Sequence, residues 1–218
     1  MLLAPAGALW AEFYNTYPPA LDNPAIHYNR PSQAGIEGHM RAMAGASDLP
    51  VMVYDIPVRS GRKISSALLL KLAREVSNVV ALKDAAGNPG ETSVVIANAP
   101  DGFEVYSGDD GLTLPLMAVG AVGTIGVATA WTGSDHSLMF DLWESGDIAG
   151  TRKVNAAMLE SFSFETGDDA PNPIPTKAML RHLGHAVGQA RLPMGDAPAF
   201  VEERAPQVWA NLQARRAN

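Results

Sequence analysis

Three side chains stand where carbonyl chemistry could be carried out. Lys83 closes the apolar, β-branched run Asn78 to Lys83 (NVVALK). Walls of Val and Leu disfavour an ammonium and lower its pKa, and a neutral amine at a strand end can attack a carbonyl to form a Schiff base. The alternative is a strand-end lysine whose stem lies on apolar surface while its head reaches water. Tyr54 sits in a second β-rich run, Asp48 to Pro57 (DLPVMVYDIP). Beside an imine-forming lysine its hydroxyl can carry protons to and from the carbinolamine and the enamine; a strand tyrosine is also an ordinary core residue with a satisfied hydroxyl. Arg59 follows on the loop after Pro57, where its rigid fork suits a substrate carboxylate, with a solvated loop arginine as the alternative.

Strands must deliver these groups to one place, and in parallel βα architectures that place is the C-terminal face, where strands end and loops begin. The middle of the chain alternates short apolar runs with helical patterns, the mark of βαβ units and a parallel sheet. After the run that holds Tyr54, Ser65 to Val76 is predicted helical, with Ser65 or Ser66 as N-cap and Leu68, Leu69, Leu72 and Val76 on one face. Strands are expected at Asn78 to Lys83, Phe103 to Ser107 and Gly123 to Ala128, and helices at Glu91 to Ala99 and Leu112 to Val119. This makes four strand-helix units in series. Beyond them the pattern is mostly helical from Ser134 to Phe164 with a break at Gly146 and Asp147, then from Thr176 to Leu183 and from Phe200 to Arg215.

Composition sets the outer limits. Hydrophobic residues are 47% and charged residues 18% of the 218 residues, which places the chain among globular proteins rather than disordered ones. The formal charge of -7 and the lack of a long basic run argue against nucleic acid as a partner. With no Cys, there are no disulfides, thiolate metal sites or thiol nucleophiles, which fits a reducing compartment. Gly111 to Ser134 carries no charge and is long enough on paper to cross a bilayer; its five Gly, one Pro and four Thr read instead as a buried helix, a turn and a buried strand. The apolar N-terminus has no Lys or Arg before Arg30, so the positive region of a signal peptide is missing. A cytoplasmic location, with no membrane association, is the expectation.

Six segments, in order, resemble one known family. They are His27 to Gln33 (HYNRPSQ), Tyr54 to Gly61 (YDIPVRSG), Ala81 to Gly87 (ALKDAAG), Ser107 to Asp110 (SGDD), Gly120 to Ile125 (GAVGTI) and Asn172 to Lys177 (NPIPTK). Together they resemble the dihydrodipicolinate synthase and N-acetylneuraminate lyase family of pyruvate-dependent class I aldolases, over roughly residues 27 to 195. No single segment is decisive; six in order with near-family spacing are specific.

The resemblance implies a (β/α)8 barrel, here an incomplete one holding about the fourth or fifth strand to the eighth, with C-terminal helices added. Residues 1–133 would form the partial barrel and 134–218 the last barrel helix and the C-terminal helical region, as one structural unit. It implies that Lys83 forms the imine and Tyr54 relays protons, with Tyr28 completing the relay of a neighbouring subunit across a dimer interface. Gly108 and Ile125 match positions whose backbone lines the pyruvate pocket, and Arg59 matches the arginine that holds the carboxylate of aspartate semialdehyde. The implied reaction condenses pyruvate with that aldehyde to give 4-hydroxy-tetrahydrodipicolinate, towards lysine and diaminopimelate. Neither a cofactor nor a metal is implied, and the expected assembly is a homo-oligomer, a dimer or a tetramer.

The chain also departs from the family pattern. The Gly-Thr-Thr-Gly-type loop that binds the pyruvate carboxylate is absent from the sequence, and Met1 to Pro5 resembles the fourth barrel strand but is separated from the tyrosine motif by residues 6–26. His27 stands where many synthases have a second Tyr. Two other readings therefore stay open: an aldolase or lyase acting on a sugar acid or another aldehyde, and a truncated, inactive barrel. Other features are set aside. His182 and His185, three apart on an expected helix, lack a carboxylate partner for a metal. Asp109 and Asp110 are expected to cap the helix that follows them, and the Trp and Met residues to serve as core or subunit contact.

Overall fold

The computed structural model describes residues 9–11, 30–167 and 169–216. It divides into two compact units, one ending at Ile125 and the other beginning at Gly126.

The first unit is a parallel sheet of five strands whose spatial order is their chain order. They are β1 (Leu9–Ala11), β2 (Val51–Asp55), β3 (Val79–Asp84), β4 (Glu104–Ser107) and β5 (Gly123–Thr124). Every neighbouring pair is parallel. Parallel neighbours need a crossover, supplied by α1 (Gln33–Ala44) between β1 and β2, by α2 (Pro57–Ser60) and α3 (Ser66–Glu75), by α4 (Pro89–Asn98), and by α5 (Thr113–Ala118) after a 3₁₀ turn. This sequential winding is that of part of a (β/α)8 barrel.

Local sequence explains the element ends. Ser65 accepts a hydrogen bond from the Leu68 N–H at the start of α3, and Asn88 accepts from the Glu91 N–H at the start of α4, where Pro89 occupies the first turn. α2 is a single turn closed by Gly61 at φ 69°, a left-handed conformation that glycine adopts without strain. The sheet has two faces because strand side chains alternate. Val51, Val53, Leu82 and Val105 pack with Ile36 and Met40 of α1 and with Leu68, Leu69 and Leu72 of α3 in the main core. Met52, Ala81 and Tyr106 form a smaller cluster with Val80 and Ile125.

The second unit is helical: α6 (Thr129–Glu144), α7 (Ile148–Glu165), α8 (Ile174–His182) and α9 (Ala199–Arg216). Met139, Met158, Met179 and Leu212 are fully buried there. Trp131 donates through Nε1 to Ser161 Oγ at 3.0 Å and meets Phe164 edge to face. Arg216 pairs with Asp135 and lies over the Trp209 ring. Among the described residues no helix is long and apolar enough to cross a membrane.

Several elements differ from the sequence expectation. The strand expected from Gly123 to Ala128 is laddered only at Gly123–Thr124, and α6 already starts at Thr129 rather than near Ser134. α8 stops at His182, Gly184 takes φ 87°, and His185 is carried off the helix, so the two histidines do not share a helical face. The segment Met1 to Pro5 lies outside the described residues; the strand that pairs with β2 is Leu9–Ala11.

Candidate active site

The register of the sheet decides what meets at its C-terminal edge. Tyr54 pairs with Lys83, Lys83 with Tyr106, and Tyr106 with Gly123. One residue further on, Asp55 pairs with Asp84, Asp84 with Ser107, and Ser107 with Thr124. Because side chains alternate, the first row shares the face of Met52 and Ala81, and the second shares the face covered by helices.

On the first face the Lys83 Nζ lies 4.0 Å from the centroid of the Tyr54 ring, a cation–π contact for the charged amine. Of the Val and Leu expected to wall the lysine, Val80 packs against the cluster on its face. Val79 and Leu82 belong to the helix-facing core, and Ala81 shares the lysine's face. Gly108 completes this wall. A Cβ at that position would stand 3.0 and 3.1 Å from Cγ and Cε of Lys83 and 3.1 Å from Ala85 Cβ, tighter than most side-chain carbon contacts, so the lysine stem would have to give way. Its N–H donates to the Asp84 carbonyl at 2.7 Å, and the Ile125 N–H donates to the Ser107 carbonyl at 2.8 Å. The parallel ladder thus runs one residue past the strand ends and fixes both backbones next to the lysine row, with Ile125 packed on the Met52, Ala81 and Tyr106 cluster.

Tyr106 is a member of this face that sequence reasoning passed over. It is 2% exposed, and its hydroxyl donates to Glu104 Oε2 at 2.6 Å. Burial, followed by the neighbouring Glu104 carboxylate, holds its phenol well above the usual range. A Cβ at Gly123 would lie 2.7 Å from two ring carbons of Tyr106, so the glycine is what admits the ring. The signal that could have found Tyr106 is alternation: it stands one residue before Ser107, as Lys83 stands one before Asp84.

The second row anchors loops. Asp55 accepts from the Ile64 N–H at 3.2 Å, and Lys63 Nζ bridges it at 3.7 Å to Glu91 at 2.8 Å. Burial pushes the Asp55 carboxyl up to about 6; the Ile64 N–H and Lys63 pull the other way, and Asp84 adds to the rise. Asp84 accepts from the Ala86 N–H at 2.8 Å and from the Thr92 hydroxyl at 2.5 Å. Ser107 donates to the Asp109 carbonyl, and the Thr124 hydroxyl meets that of Thr113. Asp109 caps the 3₁₀ turn through the Gly111 N–H at 2.9 Å, whereas Asp110 lies within that turn and α5 itself starts without a side-chain cap, so the pair does not cap the helix as expected.

Arg59 lies in α2, half-buried, and no hydrogen bond or ion pair engages its guanidinium among the described residues. The structure thus brings Lys83, Tyr54 and Gly108 together, with Ile125 in the adjoining cluster, and sets Arg59 in the one-turn helix α2 that follows β2 rather than on the loop the sequence suggested. Tyr28 lies outside the described residues. Among the described residues no group of three or more His, Asp or Glu side chains is placed to hold a metal ion.

Comparison with known proteins adds the context for this geometry. The sequence model of the Dihydrodipicolinate synthetase family matches residues 24–214. The 4-hydroxy-tetrahydrodipicolinate synthase of Listeria innocua is 41% identical over 175 residues, 80% of this chain and 59% of that protein. That of Moorella thermoacetica is 39% identical over 180 residues, 82% and 60% of the respective lengths. Among solved structures, the 4-hydroxy-tetrahydrodipicolinate synthase of Methylacidiphilum fumariolicum superposes with a TM-score of 0.81 at 30% identity, over 87% of this chain and 63% of that one. The lysine-bound enzyme of Cyanidioschyzon merolae gives 0.81 at 36% identity, over 85% and 62%. The chain spans about three fifths of the length of the curated relatives it matches.

Proposed function

The chain belongs to the dihydrodipicolinate synthetase family, and on that premise we propose that it carries the Schiff-base machinery of a 4-hydroxy-tetrahydrodipicolinate synthase. The observation that supports this most is the pairing of Lys83 with Tyr54 at adjacent strand ends, the amine 4.0 Å from the ring centroid. Lys83 attacks the keto carbon of pyruvate, and loss of water leaves a protonated imine that withdraws electrons from the methyl carbon. A methyl proton leaves, the resulting enamine attacks the aldehyde carbon of aspartate semialdehyde, and the adduct cyclises as its amine displaces the lysine. Tyr54 relays protons at the carbinolamine and enamine stages, with Tyr28 of a second copy completing the relay in a homo-oligomer. Gly108 and Ile125 line the pyruvate pocket with backbone, and the Arg59 fork takes the carboxylate of the aldehyde. The location proposed is cytoplasmic.

Exchange of the pyruvate methyl protons with deuterated solvent tests the first half of this sequence, because only enamine formation releases them. Exchange that depends on the protein and disappears in Lys83→Arg is the expected result. Exchange that survives the substitution contradicts the assignment. Arg59→Ala tests the second half: turnover with aspartate semialdehyde falls about a hundredfold on loss of a charge-assisted pair while exchange persists. Unchanged turnover would instead favour a different aldehyde.

A further inference from the structure

The segment from Ile56 to Ser65 leaves the end of β2, carries Arg59, and returns over the buried Asp55 before α3 begins. Three consecutive residues of its return are each held by a side chain. The Gln33 amide donates through Nε2 to the Lys63 carbonyl at 2.9 Å and accepts through Oε1 from the Ser65 N–H at 2.9 Å. Between them the Ile64 N–H donates to Asp55 Oδ1. Ile64 is 1% exposed, so its N–H must find an acceptor inside the protein. The outgoing half is closed on itself: the single Ser60 hydroxyl proton is shared between the Ile56 and Arg62 carbonyls, which lie 3.1 and 3.0 Å from Oγ, and the Gly61 N–H donates to the Pro57 carbonyl at 2.8 Å. A closed turn on a doubly clamped return moves as one piece, and Arg59 is in that turn. The clamp itself comes from the first turn of α1, far along the chain from the turn it holds.

We infer that Gln33 is a positioning residue for Arg59, setting where the guanidinium meets the carboxylate of the aldehyde substrate, and that it plays no part in imine formation at Lys83. This rests on the synthase reading given above. A single side chain that satisfies both a carbonyl and an N–H two residues apart fixes the segment's height and its rotation, and a small displacement of a fork loses the second arm of a bidentate contact.

The test is a double-mutant cycle in the full chain with Gln33→Ala and Arg59→Ala, read by KM for aspartate semialdehyde and by pyruvate proton exchange. Expected are an approximately tenfold rise in KM for Gln33→Ala, unchanged proton exchange, and no further rise when Gln33→Ala is added to Arg59→Ala. Independent, multiplying effects on KM would overturn the inference, as would an equal loss of proton exchange, either of which marks Gln33 as a general structural residue. A wild-type chain that exchanges no pyruvate protons would remove the synthase reading itself. In that case phenylglyoxal labelling of Arg59, followed by peptide mass, still decides the positioning claim: a several-fold change in rate in Gln33→Ala supports it, and an unchanged rate overturns it.

Discussion

Neighbouring residues at the strand ends do opposite work. Tyr54, Lys83 and Tyr106 stand on one face of the sheet, and Asp55, Asp84 and Ser107, each one residue later, stand on the other. The first row places an amine against an aromatic ring; the second consists of buried polar groups that bind the N–H groups, carbonyls and hydroxyls of the loops above. The period of two along a strand produces the division. The lysine proposed to form the imine and the anchor of the loop beside it are therefore adjacent in sequence, share a backbone, and never compete for the same space. Chemistry on the first face should be separable by mutation from loop order and pH response on the second.

The largest separable effect is expected at Tyr54. Tyr54→Phe keeps the ring and removes the proposed proton carrier, so enamine formation should fall by roughly 10² to 10⁴-fold with little change in unfolding midpoint, as read by proton exchange and denaturation side by side. Gly108→Ala comes next. Its added methyl meets the Lys83 stem and Ala85 at about 3 Å, so the lysine is pushed aside and exchange should drop on the order of a hundredfold, the usual consequence of misplacing a reacting group by about 1 Å. An alanine there with full exchange would show that the wall does not position the amine.

The smallest effect belongs to the second face and appears in stability. Asp55 holds its proton more tightly in the folded chain, with a pKa of about 6 against an ordinary 3.8. Between those values the folded state binds more protons than the unfolded one, so stability falls as pH rises from about 4 to 6, by roughly 3 kcal/mol at most. Asp55→Asn keeps an acceptor for the Ile64 N–H and removes the titration. Urea denaturation at pH 4 and pH 7 should show this fall in the wild type and a flatter profile in the variant; parallel profiles would contradict it.

What was legible in the sequence follows the same division. Lys83, Tyr54 and Arg59 stand out because a polar group at the end of an apolar run, or after a proline, is visible without any tertiary information. The α3 face of Leu68, Leu69 and Leu72 and the Ser65 cap are equally local and stand as read, whereas Asp109 caps a 3₁₀ turn that composition did not announce ahead of α5. The second row is not local. Asp55 and Asp84 become anchors only once residues several positions later fold back over them, and Gln33 reaches its partners across some thirty residues. β1 is only three residues long, and α1 carries Gly35 and Gly38 within its first two turns, so neither declares itself by composition. The expected strand from Gly123 ran long because apolar residues around Ile125 and Val127 look the same in a strand and in the approach to a helix.

The central claim is that the reactive amine is on the first face and not the second, and the two faces each offer a lysine. Lys83 lies against Tyr54, while Lys63 is held between Asp55 and Glu91. Incubation with pyruvate and borohydride, followed by peptide mapping, compares them directly in one sample. The account predicts a reduced pyruvyl adduct at Lys83 and none at Lys63. A folded chain that carries no adduct at Lys83, or carries it at Lys63, would contradict it.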